Sequence, residues 1–167
     1  MSPRARALVI SDTHVPDFAG ALPAAVVRAA ARADVVLHAG DVTSAAVLDD
    51  LRRLAPVHVA LGNGDGPDVA RWGAVDRVEI EIAGVPVAIV HDSGPAAGRP
   101  SRLRRWFPDA RLIVFGHSHI PMSFREDGVR FLNPGSPTWK RRQPAATYAS
   151  VTLGSRSPRV AMHEIAS

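Results

Sequence analysis

Seven side chains in this sequence could share one piece of chemistry. Asp12 and His14 stand in Ser11-Asp12-Thr13-His14, Asp41 in Gly40-Asp41 and Asn63 in Gly62-Asn63-Gly64-Asp65. His91 stands in His91-Asp92, and His117 and His119 in Gly116-His117-Ser118-His119. Imidazole, carboxylate and amide oxygen form a mixed nitrogen and oxygen donor set that suits Mn, Fe, Zn or Ni. These are more ligands than one ion needs, and Asp41 could bridge two. Ions paired at ~3.5–4 Å suit an in-line displacement at phosphorus. An Asp-x-His pair on extended chain would point both side chains the same way, as would His117 and His119. Any one of these residues alone reads better as a turn or cap residue, since Asn and Asp favour such places. Their joint order makes the site.

What must position them is a set of short strands. Each motif closes an apolar run of four or five residues: Ala7–Ile10, Val35–Ala39, Val57–Leu61, Val87–Val90 and Leu112–Phe115. Runs rich in Val, Ile and Leu are those of strands covered on both faces. In α/β sheets, ligands sit beyond the carboxyl ends of strands. If the strands are neighbours, the motifs converge in one pocket.

Between the first three strands lie two alanine-rich amphipathic stretches, Ala21–Arg32 and Ser44–Leu54. Pro23 fits a first helical turn, and Ser44 an N-cap. A third helix is expected over Ser101–Phe107, bracketed by Pro100 and Pro108. Arg77–Ala83 alternates as a half-exposed strand does, and Gly84 turns it into the next. Further strands are expected at Met122–Arg125, Val129–Leu132, Thr147–Leu153 and Val160–Ile165, with Asp127-Gly128 as a hairpin turn. The fold class is α/β: two mixed sheets packed face to face as a two-layer β-sandwich flanked by helices.

Taken in order, Asp-x-His, Gly-Asp, Gly-Asn, His and Gly-His-x-His resemble the calcineurin-like metallophosphoesterase superfamily. The Gly116–Pro121 segment and Asn133-Pro134-Gly135-Ser136 resemble its small bacterial and archaeal phosphodiesterase subgroup. The likeness runs from Ala7 to about Ser136 and implies a single metallophosphoesterase domain over residues 1–167. It further implies that Asp12, His14, Asp41 and His119 hold one divalent transition metal ion. Asp41, Asn63, His91 and His117 would hold the second. Asp41, Asn63 and His91 are then also the residues expected to be catalytic, and a hydroxide between the ions the nucleophile. Imidazole ligands point to Mn²⁺ over Mg²⁺, with Zn²⁺, Fe or Ni²⁺ as alternatives.

Two positions depart from the family pattern. Gly64 stands where many relatives carry a His or Cys that assists the leaving group, and Asp92 stands where the family has a glycine. Losing a general acid typically costs ~10²–10⁴-fold. The expectation is a phosphodiesterase that prefers activated diesters, with Asp65, Asp92 or a protonated group on the substrate as the substitute acid. The alternative is a non-catalytic protein-interaction scaffold on the same fold.

Composition narrows the rest. The 167 residues contain no cysteine, which excludes disulfides, thiolate metal sites and a cysteine nucleophile. Charged residues make up 22% against 46% hydrophobic, the balance of a globular chain. No apolar run nears the ~18–20 residues of a membrane span. Met1–Arg6 lacks a signal-peptide layout, so a cytoplasmic location is the expectation. The net charge of +4 tolerates an anionic substrate. With only 5% aromatic residues, a nucleic-acid groove is not expected. A small phosphate ester is the expected partner, with a homodimer possible by resemblance. His38 and His58 read as satisfied core groups, and His163 as a surface residue. Trp72, Trp106 and Trp139 read as packing residues. Arg102, Arg104 and Arg105, and the run Lys140–Arg142, read as solvated faces, with one basic residue as a candidate grip on substrate.

Overall fold

The computed structural model describes residues 3–166. All five apolar runs form strands: β1 (Ala5–Ile10), β2 (Val35–His38), β3 (Val57–Val59), β5 (Val85–Val90) and β6 (Leu112–Val114). The alternating segment is β4 (Arg77–Ile82), joined to β5 by a turn with Ala83 and Gly84 at φ 49° and 79°. β7 (Met122–Glu126) and β8 (Val129–Asn133) are joined at Asp127-Gly128 with the same pair of angles. Positive φ at both central residues is the twist-matched hairpin turn, and Gly or Asp tolerates it best. β9 (Ala146–Leu153) and β10 (Arg159–Ile165) complete the set.

These strands make two five-stranded sheets, ordered β10-β9-β1-β2-β3 and β4-β5-β6-β8-β7. β1, β2 and β3 run parallel, with Ala7 opposite Val35 and Val36 opposite Val57. β5, β6 and β8 are also parallel, and β9 and β4 turn each sheet antiparallel at one side. Alternate residues of each strand face the partner sheet. Ala7, Val9, Leu37, Val87, Ile89, Leu112 and Val114 meet there in the central core. The other face of β1 and β2, with Leu8, Ile10 and Val36, is covered by helices.

Of the four helices among the described residues, only the one that Ser44 precedes has a side-chain cap at its N-terminus. α1 (Ala24–Ala31) starts three residues after the expected Ala21: Pro23 is not in the first turn but extended at the N-cap, with ψ 143°. α2 (Ala45–Arg52) is capped by Ser44, whose hydroxyl accepts the Ala46 N–H. α3 (Pro67–Trp72) has no counterpart among the expected elements. Six residues are too few for a readable period, although Pro67 in its first turn and Gly73 behind it mark its ends. α4 (Arg99–Trp106) takes Pro100 into its first turn, where a missing N–H costs nothing, and buries Leu103 against the second sheet. Among the described residues no helix is long and apolar enough to cross a membrane.

Parallel pairing also aligns the strand ends. The carboxyl ends of β1, β2 and β3 lie along one edge of the first sheet, and those of β5 and β6 along one edge of the second. All five polar motifs leave the sandwich at that end.

Candidate metal centre

The loop after β1 is tied to the loop after β2 by two backbone bonds, Asp12 N–H to Gly40 O at 2.8 Å and His14 N–H to Asp41 O at 3.1 Å. The turns are sharp. Asp12, His14, Asp41, His117 and His119 all have φ between 45° and 71°. Left-handed backbone is unusual for residues other than glycine and marks strain held by its surroundings. This corrects the expectation of extended Asp-x-His and His-x-His segments: strand alternation is not what brings each pair together. Two motif glycines make room. A Cβ at Gly62 would collide with Asp41 Oδ1, and one at Gly116 would collide with Ser11 Oγ and sit 2.7 Å from Asp12 Oδ2.

All seven expected ligands converge, in two groups that meet at Asp41. In the first, His119 Nε2 lies 3.4 Å from Asp12 Oδ1, and His14 Nε2 lies 3.9 Å from Asp12 Oδ1 and 3.5 Å from Asp41 Oδ2. In the second, His91 Nε2 lies 2.9 Å from Asn63 Oδ1, 3.3 Å from His117 Nδ1 and 3.4 Å from Asp41 Oδ2. His117 Nδ1 is 3.1 Å from Asn63 Oδ1. Asp12 Oδ1 also comes within 3.9 Å of His91 Nε2, so that carboxylate touches both groups. The first group is the drier: Asp12, Asp41 and His119 are buried and His14 half-buried, whereas in the second His91 is buried but Asn63 and His117 are exposed. The cluster therefore meets solvent at Asn63 and His117.

Second contacts aim the donors. His91 Nδ1 is 2.7 Å from the Ala39 carbonyl and His119 Nδ1 is 2.7 Å from the Trp139 carbonyl. A carbonyl only accepts, so both imidazoles carry the proton at Nδ1 and turn an Nε2 lone pair into the cluster. Asp12 Oδ2 accepts from Ser11 Oγ and from the His117 N–H, leaving Oδ1 free. Asp41 Oδ1 accepts the Gly64 N–H at 2.7 Å.

Burial favours a carboxylic acid at Asp41, but the bond and charge of His91 and the Gly64 N–H outweigh it and lower its pKa to about 2. At His91 burial favours the neutral ring, yet Asp41 and Asp12 prevail and raise the pKa. His14 is lowered, because burial wins over Asp41 and Asp12. His38 is wholly buried and pushed down to about 4 by that burial. It lies 3.0 Å from Thr13 Oγ1 and accepts the Gly40 N–H, so it braces the loops of Asp12, His14 and Asp41 without joining the cluster. His58 is half-buried on β3, with its pKa lowered by burial. His163 bonds Ser150 Oγ at 2.8 Å.

Other expectations need revision. Asp65 is no free acid: its carboxylate accepts from the N–H groups of Asp41, Thr43 and Gly62 and pins the two loops together. Asp92 is exposed and accepts the Gly94 N–H. Arg102 holds the backbone carbonyls of Ser93 and Ala97, and Arg104 pairs with Glu126 and Asp127, so these arginines fasten loops. The Asn133–Ser136 turn ties the site. Asn133 Nδ2 donates to the Gly116 carbonyl, and Ser136 Oγ donates to the Asp12 carbonyl while accepting the Trp139 N–H. Trp139 does more than pack. Its carbonyl holds His119, and its ring meets those of His14 and His119 edge-on at 5.3 Å. Its one signal in the sequence is proximity to the Asn133–Ser136 turn.

Comparison with known proteins agrees. Residues 6–156 match the calcineurin-like phosphoesterase superfamily domain. A probable metallophosphoesterase of Methanothermobacter thermautotrophicus is 38% identical over 138 residues, 80% of this chain and 77% of that protein. Vacuolar protein sorting 29 from Cryptosporidium parvum superposes with TM-score 0.78 at 23% identity, covering 98% of this chain and 99% of that one. An archaeal phosphodiesterase superposes with TM-score 0.75 at 19% identity, over 96% and 99%. At such identities the last two speak for the fold alone. With the family match spanning nearly the whole chain and the ordered motifs gathered at one end of the sandwich, this chain belongs to the calcineurin-like phosphoesterase superfamily.

Proposed function

We propose that this chain is a binuclear metal-dependent phosphodiesterase acting on small activated diesters. One observation carries the reading: Asp12 Oδ1, His14 Nε2 and His119 Nε2 are buried without a hydrogen-bond partner, and the three residues' donor atoms lie within 4.8 Å of one another. Unpaired buried polar atoms are costly and rare, so a cluster of them calls for a cation. Most of the separations fit as well, with His14 Nε2 to Asp12 Oδ1 the long one at 3.9 Å. Donors bonded at ~2.1 Å to one ion stand ~3.0–3.4 Å apart in octahedral or tetrahedral geometry. Asp12, His14, Asp41 and His119 would hold one ion, and Asp41, Asn63, His91 and His117 the other. The imidazole-rich set favours Mn²⁺ over Mg²⁺. When bound, such a pair lowers the pKa of water to supply a nucleophile and offsets phosphoryl charge.

The chain's own residues then limit the substrate. Two divalent ions would outweigh the charges of Asp12 and Asp41, so charge alone does not choose between a diester and a monoester. No lysine or arginine among the described residues hydrogen-bonds the cluster to hold the extra terminal oxygen of a monoester, which favours a diester. Gly64 offers no proton to the leaving group and Asp65 is committed to three N–H groups, so good leaving groups are favoured. A scaffold role draws support from that same Gly64.

The test is elemental analysis with a substrate screen on the same sample. About two transition metals per chain are expected, with EDTA-sensitive, Mn²⁺-restored hydrolysis of bis(p-nitrophenyl) phosphate. A metal-free protein that added Mn²⁺ leaves inert would favour the scaffold. Gly64→His sharpens the test, because a Cβ there lies 3.1 Å from Asp41 Oδ1. The variant should narrow the gap between aryl and alkyl leaving groups by roughly tenfold or more, within the ~10²–10⁴ range of general-acid catalysis. An unchanged gap would mean that proton donation is not the missing function.

A further inference from the structure

Beside the metal centre, on the side of His14 and His119, stands an aromatic wall. Phe18, from the loop after β1, stacks on Trp139 with ring centroids 4.7 Å apart and planes 12° from parallel. The Arg141 guanidinium lies 4.8 Å from the centre of the Trp139 ring. Beyond them opens a cavity of about 850 Å³, walled by Phe18, Pro137, Trp139, Arg141 and Ile165. Phe18 is 52% exposed. A phenylalanine stacked on a tryptophan but left half in water does not serve the core: the sandwich gains little from it, while its open face remains available. Lys140 and Arg141 add positive charge. Glu164 lies on the same cavity, but no ion pair among the described residues ties it to either.

We propose that Phe18, Trp139 and Arg141 form a substrate subsite that takes a planar aromatic ester arm of the phosphodiester, its phosphate resting at the metal centre. The inference rests on the phosphodiesterase reading and names the substrate class of that site. Reach supports it. The ring of His14 is one step of 5.3 Å from Trp139, and Phe18 is one further step of 4.7 Å. A nucleoside arm spans such a gap and a phenyl arm reaches its first step, whereas a methyl arm does neither. Chemistry supports it too. Stacking on aromatic rings is tolerant of ring identity, and a guanidinium beside the rings adds attraction to a π-face and to the anion. The metal centre itself has no arginine or lysine hydrogen-bonded to it among the described residues, so this flank supplies the affinity that positions the diester.

Three p-nitrophenyl diesters with the same leaving group test the idea: the thymidine 5′-, phenyl and methyl esters, with the Mn²⁺-loaded protein. The wild type should show a KM about tenfold lower for an aromatic arm than for methyl, the size of one stacked ring. Preference for thymidine alone assigns a nucleobase, and preference for both assigns any aryl ring. Phe18→Ala and Phe18→Leu should bring the ratio to about one, and Phe18→Tyr should keep it. Equal KM values in the wild type, or a preference that survives Phe18→Leu, would overturn the subsite. Should none of the three esters turn over, the phosphodiesterase reading fails and calorimetry decides the subsite alone. Thymidine 5′-monophosphate should bind wild type about tenfold more tightly than Phe18→Leu, and equal or absent binding would overturn the proposal.

Discussion

At the end of the sandwich away from the metal centre, two hairpins turn through Ala83-Gly84 and Asp127-Gly128, with φ of 49° and 79° in each. At the other end, Asp12, His14, Asp41, His117 and His119 adopt similar angles. The backbone demand is the same and the solutions differ. A Cβ at Gly84 or Gly128 would meet nothing within 4 Å, so glycine is there for its conformation alone. At the metal centre, glycine would satisfy the backbone and delete the donor. The strained residues are instead held by neighbours: Asp12 by Gly40 O and Ser136 Oγ, His117 by Asp12 Oδ2 and His119 by Trp139 O. Strain concentrates where side-chain chemistry is needed, and the chain meets its cost with buried bonds.

The largest effect should come from removing a donor of the cluster. Asp41→Asn or His119→Ala is expected to lower turnover by roughly a thousandfold or more, since each strips charge or a ligand from the proposed paired-ion site. Circular dichroism and melting of the metal-free variants should show a retained fold. Near wild-type turnover in either variant would dissolve the contrast, making this end a set of ordinary loops.

Next comes pH, because the metal-centre end buries a histidine and the hairpin end does not. The folded pKa of His38 is about 4, against an ordinary 6.5. The unfolded chain therefore takes the proton first as pH falls. The stability involved is fully present above pH 6.5 and is lost progressively from there down to pH 4, by roughly 3 kcal/mol in all. His91, whose pKa is raised, acts in the opposite sense: its share is present below pH 6.5 and fades as pH rises through its folded value. His38→Gln isolates the first contribution. Urea melts of metal-free protein at about pH 7 and about pH 4.5 should show a clearly shallower loss in the variant than in wild type. Parallel losses would mean that His38 is not the buried neutral group.

Gly116→Ala probes close approach rather than charge. The new methyl would press on Ser11 Oγ and Asp12 Oδ2. Displacing Asp12 by a fraction of an ångström should cost about a hundredfold in activity, with a lower melting temperature from overpacking. Activity within about threefold of wild type would show that the loop yields freely.

Much of this architecture is legible in the sequence because β-rich cores announce themselves. Val, Ile and Leu runs closed by Asp, Asn or His mark five strand ends, and parallel pairing does the rest. The hairpin at Asp127-Gly128 is equally plain, since its turn chemistry is local. What escapes reading depends on distant contacts. α3 is too short to show a period. The left-handed turns at Asp12 and His119 come from bonds to Gly40 and Trp139, far along the chain. Asp65 looks like a spare acid because nothing local reveals that three N–H groups converge on it. Trp139 and Phe18, 121 positions apart, become a pair only when the loops close.

The smallest expected effect belongs to the far hairpins. Gly128→Ala and Gly84→Ala meet no atoms, so only the positive φ is penalised, by about 1 kcal/mol, or a few degrees in melting temperature. Turnover should not change, because neither position touches the loops that carry donors. Set beside Gly116→Ala, the pair separates two uses of one residue type: conformation alone at the hairpins, and room for a carboxylate at the metal centre. If Gly128→Ala lowered kcat as much as Gly116→Ala does, the two ends would be coupled through the sandwich, and the metal centre would have to be read as a property of the whole sheet pair rather than of its loops.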